Sequence, residues 1–446
     1  MKKRTFSGGI HPAGNKATTE HVPLREIKPP ELLYFPLSQH IGAPLKPIVA
    51  VGDTVLRMQK IADSESFMSA PLHASVSGRV KDIGMYLNHT NTKVPTIVIE
   101  NDGEDTWQDP LTTKNPEDMS PEEMRKIIRE AGIVGMGGAA FPTHVKLSPP
   151  PDKKITHLII NGAECEPYLT SDRRVMLEMT DDVIGGLKCL MQMLSLSECF
   201  VGIEDNAKEA IRLLEEKAKS VSGIHVLELK QKYPQGSEKH MIKAVTGKEV
   251  PPGKLPMDVG CIVINIGTVA EIYRALSKGI ALHRRIVTVS GDAILEPANL
   301  YARIGTPFHV LADAAGGFKK EPKKIIMGGP MMGIAGVSLD IPVVKGTSGL
   351  LAFSEKYAHI GQESACIRCG RCVNACPMQL MPTVLDMYSR KGDLDTLISH
   401  NILNCIECGS CTYVCPAKRF LVQSIRMGKQ KINARRAKEK AKEATK

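Results

Sequence analysis

The chain has 446 residues, of which 42% are hydrophobic and 24% charged, and its formal net charge is +10, a composition typical of a soluble protein with about three domains. An aromatic content of only 4% argues against base-stacking platforms for single-stranded nucleic acid. No uncharged apolar run approaches the roughly 18 residues of a membrane span, and the basic N-terminus lacks the apolar stretch of a signal peptide, so we expect a cytoplasmic protein.

The first part of the chain predicts an N-terminal arm over residues 1–40 and a small β domain over residues 41–108. Apolar and polar residues alternate between turns in residues 48–83, as in the short strands of a barrel. This segment resembles the barrel-sandwich hybrid fold of lipoyl and biotinyl domains, which carry a modified lysine at a hairpin tip. The corresponding hairpin here reads HASVSG and has no lysine, so we expect a structural module without lipoate or biotin.

A helix with a glycine loop behind it is predicted next. Ser120 suits the N-cap, Glu123 completes a capping box, and Gly132 suits the left-handed residue that ends the helix. Three glycines follow in the loop: Gly135, Gly137 and Gly138. The loop lacks the third glycine and the preceding strand of a dinucleotide fingerprint. It is therefore either a plain turn or a place where a flat ring or a phosphate approaches the backbone.

Two predicted strands run into polar side chains. One strand covers residues 157–160, and the other ends at Asn265 ahead of a helix expected after Thr268. The polar residues that follow the first strand are Asn161, Glu164, Glu166 and Asp172. A third segment places Gly236, Ser237 and Glu238 at a predicted helix start. Strand ends in open α/β sheets and helix N-termini are both common ligand sites, although solvated carboxylates would give the same pattern.

In this order, the segments resemble the flavin- and NADH-binding subunit of respiratory complex I over about residues 115–275. The family motifs G-R-G-G-A-G-F-P-T, N-A-D-E-G-E-P, C-G-E-E and N-x-x-T correspond here to GMGGAAFPT, NGAECEP, QGSE and NIGT. The resemblance implies a Rossmann-like domain over residues 115–278 with non-covalent FMN. The FMN residues that it implies are Gly135, Gly137, Gly138, Lys146, Asn161, Glu164, Gly236, Ser237, Glu238, Asn265 and Thr268.

The same resemblance implies that Phe141, Glu166 and Glu238 face NADH, with Glu238 shared between the two ligands. Departures from the family pattern affect mainly the expected NADH site. Three residues replace family residues: Ala140 a glycine, Ala163 an aspartate and Ser237 a glutamate. The phenylalanine expected to stack on adenine would fall in PPGKLPMDVG, which contains none. No protein acid or base is expected to act as a catalytic residue, because FMN supplies the redox chemistry.

Residues 280–355 resemble a soluble-ligand-binding β-grasp domain, which more often serves packing and docking than chemistry. The part of the chain at 360–425 contains the motif C-x2-C-x2-C-x3-C-P twice and resembles a two-cluster ferredoxin. In such motifs the fourth cysteine ligates the other cluster. The predicted ligand sets are therefore Cys366, Cys369, Cys372 and Cys415 for one [4Fe–4S] cluster, and Cys405, Cys408, Cys411 and Cys376 for the second. Tetrahedral zinc is the alternative.

The last 18 residues, 429–446, hold eight Lys and Arg but two Glu, a net charge of +6. The sequence predicts a basic tail, either solvated or in contact with anionic lipid headgroups or an acidic partner. Nucleic acid is not expected, because no recognition motif accompanies the charge.

The predicted fold is thus a multidomain α/β plus α+β chain: a barrel-sandwich hybrid, a Rossmann-like flavin domain, a β-grasp domain and a two-[4Fe–4S] ferredoxin-like domain. This order resembles the RnfC family of the Rnf ion-translocating electron-transport complexes. The resemblance implies a peripheral subunit on the cytoplasmic face of the cell membrane that passes electrons between NADH/NAD+, FMN and two [4Fe–4S] clusters. The implied partners are the membrane subunits and a ferredoxin-handling subunit, with ferredoxin itself reached indirectly.

Two alternatives share these features. The cobalamin-reducing flavoproteins of microcompartments have the same domain order, which would make the chain a flavin and iron–sulfur cobalamin reductase. The departures at Ala140, Ala163 and Ser237 would also fit an electron relay whose flavin site has decayed.

Overall fold

A computed structural model describes residues 4–444 of the chain. It contains a six-stranded sheet, two four-stranded sheets and a three-stranded sheet. The barrel-sandwich part uses the last of these and one four-stranded sheet. Leu33, Phe35 and Ile97 are among its fully buried core side chains. Its strands are Leu32–Pro36, Lys46–Pro47, Thr54–Val55, Lys60–Asp63, Leu72–His73, Gly78–Leu87 and Lys93–Asn101.

The HASVSG hairpin of this domain is buried, unlike the exposed lysine-bearing tip of a lipoyl domain. Ser75 donates through its Oγ to the carbonyl of Ile304 at 2.6 Å, and Arg303 donates to the Ser75 carbonyl at 3.1 Å. The hairpin is therefore docked on the β-grasp domain, which agrees with the structural role that its sequence predicts.

The flavin domain is built on a four-stranded parallel sheet in the order Ile224–Leu229, Cys199–Glu204, His157–Gly162, Cys261–Asn265. The predicted strand that starts at His157 therefore extends to Gly162. Its helices and helical turns are Pro116–Asp118, Pro121–Glu130, Thr143–Lys146, Ser171–Glu178, Thr180–Met193, Lys208–Ala218, Glu238–Thr246, Pro256–Val259 and Ile266–Lys278.

The helix expected after Thr268 begins earlier, at Ile266. Asn265 is its N-cap, and the Asn265 side chain accepts hydrogen bonds from the amides of Gly267 and Thr268. The strand therefore passes into the helix without a loop, because the residue that ends the strand also caps the helix.

The β-grasp domain has a mixed sheet in the order Leu24–Glu26, Ala298–Arg303, Arg284–Ser290, Gly349–Phe353, Lys324–Met327, Ile334–Gly336, with the helix Phe308–Ala314. The first of these strands comes from the predicted N-terminal arm and pairs in parallel with Ala298–Arg303. The arm is thus built into the domains: further along, Leu32–Pro36 joins the barrel sheet by pairing with Lys93–Asn101.

The cysteine-rich domain is helical, with Glu355–Ala358 leading into it. Its helices are Arg371–Ala375, Pro382–Lys391, Leu394–Ser399, Ile402–Asn404, Ser410–Tyr413 and Leu421–Ala444. Leu385, Leu397, Ile425 and Ile432 form its small core. Among residues 4–444, no helix combines the length and the apolar composition that a membrane crossing requires.

The predicted basic tail does not begin at 429, because the final helix continues through that point. Ile432 is fully buried, and Lys429 donates to Glu407 at 2.6 Å and to the Cys405 carbonyl at 2.9 Å. Arg435 pairs with Asp395 at 2.9 Å. The side chains from Arg436 to Glu443 are exposed, and residues 445 and 446 lie outside the described part of the chain.

Candidate functional site

The glycine loop follows a helix whose ends form as the sequence predicts. The Glu123 amide donates to Ser120 Oγ at 3.2 Å, the Ser120 amide donates to Glu123 Oε2 at 2.9 Å, and Gly132 has φ +67°. The chain then turns back on itself, since the Gly135 amide donates to the Phe141 carbonyl at 2.8 Å. The capped helix Pro121–Glu130 thus places the loop at the carboxyl edge of the parallel sheet.

Gly137 and Gly138 differ in their surroundings. A Cβ on Gly137 would lie 2.9 Å from Nδ2 of Asn265, whereas a Cβ on Gly138 would meet no atom within 4 Å. Ala140, which stands where the complex I family has glycine, has φ +51° and so occupies the left-handed region that favours glycine. The loop therefore packs tightly against the helix start on one side and leaves an open space on the other.

Asn265 connects this loop to a half-buried acid, Asp172. Its Oδ1 caps the helix Ile266–Lys278, while its Nδ2 donates to Asp172 Oδ2 at 2.7 Å. Burial, with a further contribution from the nearby Glu164, raises the pKa of Asp172 to about 7. Asn265 and Asn161 are also paired in register on adjacent parallel strands, which brings both amides to the same sheet edge.

Glu164 is held by the start of a helix and by a lysine from the N-terminal arm. Its Oε1 accepts from the Asp172 amide at 2.9 Å, and its Oε2 lies 3.8 Å from Nζ of Lys16. Lys16 also donates to the carbonyls of Glu164 at 2.8 Å, Glu166 at 3.1 Å and Leu169. Sequence reasoning missed Lys16, because a single lysine 148 residues away from Glu164 carries no recognisable pattern.

The third segment meets the same edge. Asn161 Nδ2 donates to the Gly236 carbonyl at 2.7 Å, and a Cβ on Gly236 would lie 2.6 Å from the carbonyl oxygen of Ala163. Ser237 is the N-cap position of the nine-residue helix Glu238–Thr246. Glu238 pairs with Lys146 at 2.6 Å, and Lys146 also donates to the Val263 carbonyl at 3.0 Å. The three predicted segments therefore converge.

The three residues expected to face NADH are placed differently. Glu238 is paired with Lys146, and Phe141 closes the glycine loop through its backbone carbonyl. Glu166 instead accepts hydrogen bonds from the amides of Met331 at 3.0 Å and Met332 at 2.9 Å, in the β-grasp domain. Burial raises the pKa of Glu166 to about 7. Its carboxylate is thus engaged with the MGGPMMG loop.

The two cysteine motifs adopt the same backbone conformation. Arg368 and Glu407, at equivalent positions, have φ +55° and +57°, and Gly370 and Gly409 have φ +74° and +78°. In each motif an amide points at the first sulfur, from Arg368 to Cys366 Sγ and from Glu407 to Cys405 Sγ, both at 3.4 Å. Hydrogen bonds from amides to cysteine sulfurs occur in iron–sulfur loops, where they help to set the reduction potential of the cluster.

The fourth cysteine of each motif lies near cysteines of the other motif. One cavity is lined by cysteines of both motifs: Cys376, Cys405, Cys408 and Cys411. In the other set of cysteines, burial raises the pKa of Cys372, and the nearby thiols of Cys415 and Cys366 raise it further. Four thiols around one cavity match the four ligands of a [4Fe–4S] cubane, and three thiols of the other set, from Cys366, Cys372 and Cys415, are neighbours as well. The described part of the chain contains no tighter group of three His, Cys, Asp or Glu side chains of the kind that a single metal ion needs.

Comparison with known families matches four domain descriptions along the chain. They are the RnfC barrel sandwich hybrid domain at residues 4–104, the Nuo51 FMN-binding domain at 128–274, the SLBB domain at 286–335 and the 4Fe-4S dicluster domain at 365–420. This confirms the predicted fold class and the FMN and iron–sulfur cofactors. The exact domain boundaries and the individual ligand residues stay predictions.

Similar proteins extend over nearly the whole chain. The matching subunit of a proton-translocating ferredoxin:NAD(+) oxidoreductase complex from Clostridium ljungdahlii is 51% identical, covering 98% of this chain and 96% of the relative. A Na(+)-translocating counterpart from Acetobacterium woodii is 47% identical over 98% and 99% of the two chains, and one from an ion-translocating oxidoreductase complex of Rhodobacter capsulatus is 42% identical over 98% and 85%. This chain belongs to the RnfC family.

Membership of the RnfC family favours the ion-translocating complex over the cobalamin reductase, because these relatives are named as parts of oxidoreductase complexes. Among solved structures, an NAD+-reducing [NiFe]-hydrogenase in its air-oxidised state matches with a TM-score of 0.50 and 18% identity, covering 65% of this chain and 55% of the other. At that identity the likeness concerns the fold alone.

The cysteine domain of this RnfC family member is joined to its flavin domain by a buried seam. Tyr233, which is 2% exposed, donates to the Cys408 carbonyl at 2.8 Å. The Gly9 amide donates to the Ala375 carbonyl at 3.0 Å, and a Cβ on Gly8 would lie 2.5 Å from the Cys376 carbonyl oxygen. The FSGGIHP stretch of the arm is thus glycine-rich because it passes between two domains.

Proposed function

We propose that this chain is the peripheral NAD(H)-oxidising and NAD+-reducing subunit of a membrane-bound, ion-translocating Rnf-type complex, where it exchanges electrons between NAD(H), FMN and two [4Fe–4S] clusters. One observation carries the proposal: a single polypeptide joins a glycine loop at a sheet edge to two motifs of four cysteines each. The buried hydrogen bond from Tyr233 to the Cys408 carbonyl ties these two parts together.

FMN would be held where the three segments converge. The helix start at Glu238 has no side-chain cap, so it supplies amides and partial positive charge for a phosphate, and Lys146 adds a cation. The helix start at Ile266 adds partial positive charge, while Asn265 caps its Gly267 and Thr268 amides. The open space beside Gly138 leaves room for a ring or phosphate against the backbone. The remaining residues proposed around the ligand are Gly135, Gly137, Asn161, Glu164, Gly236, Ser237, Asn265 and Thr268. Bound FMN accepts electrons in pairs and releases them singly, which matches a nucleotide to iron–sulfur centres.

For the nucleotide, we propose Phe141 and Glu238 at the border of the pocket. Glu166, the third residue expected to face the nucleotide, meets the β-grasp domain instead, because its carboxylate accepts hydrogen bonds from the Met331 and Met332 amides. A free carboxylate at this position would bind ribose hydroxyls, but a carboxylate with two backbone donors has given up much of that capacity.

The cluster ligands are proposed as two crossed sets. Cys376, Cys405, Cys408 and Cys411 would hold the cluster that lies against the flavin domain. Cys366, Cys369, Cys372 and Cys415 would hold the other, and Cys366 and Cys369 are exposed. The exposed set suits exchange with another protein, because electron transfer needs close approach at a surface.

The proposed partners are the other subunits of the complex, since the relatives are named as components of multi-subunit oxidoreductases. Ferredoxin is reached through them. We place the chain at the cytoplasmic face of the cell membrane, with the exposed basic end of the last helix, residues 436–443, towards anionic headgroups.

The experiment that tests this function is anaerobic purification, followed by iron, sulfide and flavin analysis and by stopped-flow mixing with NADH. We expect about eight iron atoms and one FMN per chain, and bleaching of the flavin absorption by NADH. Full iron content without flavin, or flavin that NADH does not reduce, would contradict the proposal and favour a relay. The variant Gly137→Val is the matched control, since it should keep its iron and lose the bleaching.

A further inference from the structure

The β-grasp domain directs a buried arginine at the glycine loop. Arg285, on the strand Arg284–Ser290, is 7% exposed. Its Nη2 donates to the carbonyl of Met136 at 3.2 Å, and its Nε donates to the carbonyl of Thr347 at 3.1 Å. A guanidinium group is costly to bury. The Thr347 contact lies within the β-grasp domain, whereas the Met136 contact crosses the domain boundary to the residue just before Gly137.

Met136 is held through both its backbone amide and its backbone carbonyl. Its amide donates to Oγ1 of Thr268 at 2.9 Å, within the flavin domain, and its carbonyl accepts from Arg285 of the β-grasp domain. The next residue, Gly137, is in close contact with the Asn265 side chain. The backbone of the loop is therefore fixed by one group from each domain at the point where the proposed pocket begins.

A second buried cation acts on the other end of the loop. Lys345 is fully buried, and its Nζ donates to the carbonyls of Gly132 at 2.6 Å and Pro71 at 2.5 Å. Burial lowers the pKa of Lys345 to about 7. A Cβ on the neighbouring Gly346 would lie 3.5 Å from the Gly138 carbonyl oxygen, so this β-grasp segment also covers the loop from outside.

We propose that Arg285 and Lys345 are positioning residues for the FMN loop, and that the β-grasp domain acts as an external clamp on residues 132–138. The inference rests on the proposed FMN site. Glycines lose more conformational freedom on ordering than other residues, so a free loop of this composition would lower affinity for any ligand. Contacts that fix the loop before FMN arrives remove that cost from binding.

The test compares Arg285→Gln and Arg285→Lys with the control Arg303→Gln, all in the full chain. Arg303 lies in the same sheet and is equally buried at 6%, but it contacts the Ser75 carbonyl and Asp105 in the barrel domain. Arg303→Gln therefore shows the effect of losing a buried arginine that joins two domains but does not contact the glycine loop. Lys345→Met examines the second cation independently, should Arg285→Gln fail to fold.

Two readouts are measured: amide hydrogen exchange of residues 132–140 in flavin-free protein, and FMN affinity from quenching of flavin fluorescence. We expect Arg285→Gln and Lys345→Met to exchange faster in this segment alone and to bind FMN about tenfold more weakly, with partial rescue in Arg285→Lys. Arg303→Gln should leave both readouts unchanged.

Unchanged loop exchange and unchanged FMN affinity in both Arg285→Gln and Lys345→Met would overturn the clamp. Absence of FMN binding in the wild-type chain would overturn the FMN site instead of the clamp. If the wild-type chain binds no FMN while the loop is still protected by Arg285, the clamp stands and the proposed ligand does not.

Discussion

The hydroxyl of Tyr233 donates a 2.8 Å hydrogen bond to the carbonyl oxygen of Cys408, so a residue of the flavin domain is bonded directly to a proposed cluster-ligand residue. Burial raises the pKa of Tyr233 well above its usual value, and the nearby Glu166 raises it further. Glu166 in turn holds the Met331 and Met332 amides. Three domains therefore meet around one tyrosine.

Tyr233→Phe should loosen this junction without emptying either site. The substitution keeps the ring and leaves the buried Cys408 carbonyl without its donor, which costs about 1–3 kcal/mol of unfolding free energy. We expect unchanged iron and FMN content, lower stability in anaerobic denaturation, and slower cluster reduction after NADH is added. Tyr413→Phe is the control, because Tyr413 is 54% exposed. Equal effects of the two substitutions would show that the Tyr233 hydrogen bond has no special role.

The crossed ligand sets make a prediction for single cysteines. Cys376→Ala removes one of the four thiols that line the cavity with Cys405, Cys408 and Cys411, although Cys376 belongs to the first motif. Iron content should fall by about half, and electron paramagnetic resonance should retain the signal of the other cluster. Cys189→Ala, at a buried thiol outside both motifs, should keep all its iron. Selective loss of the cluster ligated by Cys366 and Cys369 would contradict the crossing.

Gly137 and Gly138 are expected to respond differently to a side chain. Gly137→Val would force its Cβ against the side-chain amide of Asn265 and disturb the N-cap of the helix Ile266–Lys278. We expect this to lower the free energy of unfolding by about 1 kcal/mol even without ligand. Gly138→Ala faces open space, so it should leave the stability of the flavin-free protein unchanged but weaken FMN binding. Thermal unfolding and flavin titration distinguish the two. Normal FMN content in Gly137→Val would count against the proposed pocket.

How far the sequence predicts this site depends on the range of each contact. Ser120, Glu123 and Gly132 act within one helix, and the cysteine ligands follow a fixed spacing, so local patterns suffice for them. Glu166 shows the limit, because its partners Met331 and Met332 lie 165 and 166 residues away. Contacts of that kind depend on how domains dock, and neither composition nor periodicity records them.

The half-buried acid Asp172 should give the free energy of unfolding a distinctive pH dependence. Its folded pKa of about 7 is above the ordinary value of 3.8, because burial and the nearby Glu164 oppose ionisation, while Asn265, Arg285 and Lys16 favour it. The folded state therefore binds the proton more tightly, and this contribution is full below about pH 4 and lost as the pH rises through about 7. Asp172→Asn should reduce the decline in unfolding free energy between about pH 5 and pH 7.

The measurement for Asp172→Asn is urea denaturation of the flavin-free protein at several pH values. Asp181→Asn is the control, since Asp181 is 84% exposed and pairs with Lys217 at the surface. The control should follow the wild-type pH profile. An Asp172→Asn profile that is parallel to wild type across this range would exclude a raised pKa at Asp172.

The final helix has a packed first part, which includes the buried Ile432, and an exposed basic end at residues 436–443. A test of its role at the membrane must therefore leave that packing intact. Deleting residues 429–446 would remove the buried Ile432 and the Lys429–Glu407 ion pair, so we expect loss of iron along with any membrane effect. Replacing only exposed cations with glutamine avoids this problem. The chosen positions are Lys431, Arg436, Lys438, Lys440 and Lys442.

This glutamine variant should keep its iron and NADH reactivity but bind anionic vesicles more weakly at low salt, with the difference vanishing at high salt, because salt screens the attraction between exposed charges. Neutral vesicles lack the attracting charge, so they should bind both proteins equally. Undiminished, salt-sensitive binding of the glutamine variant to anionic vesicles would exclude the helix end as the contact.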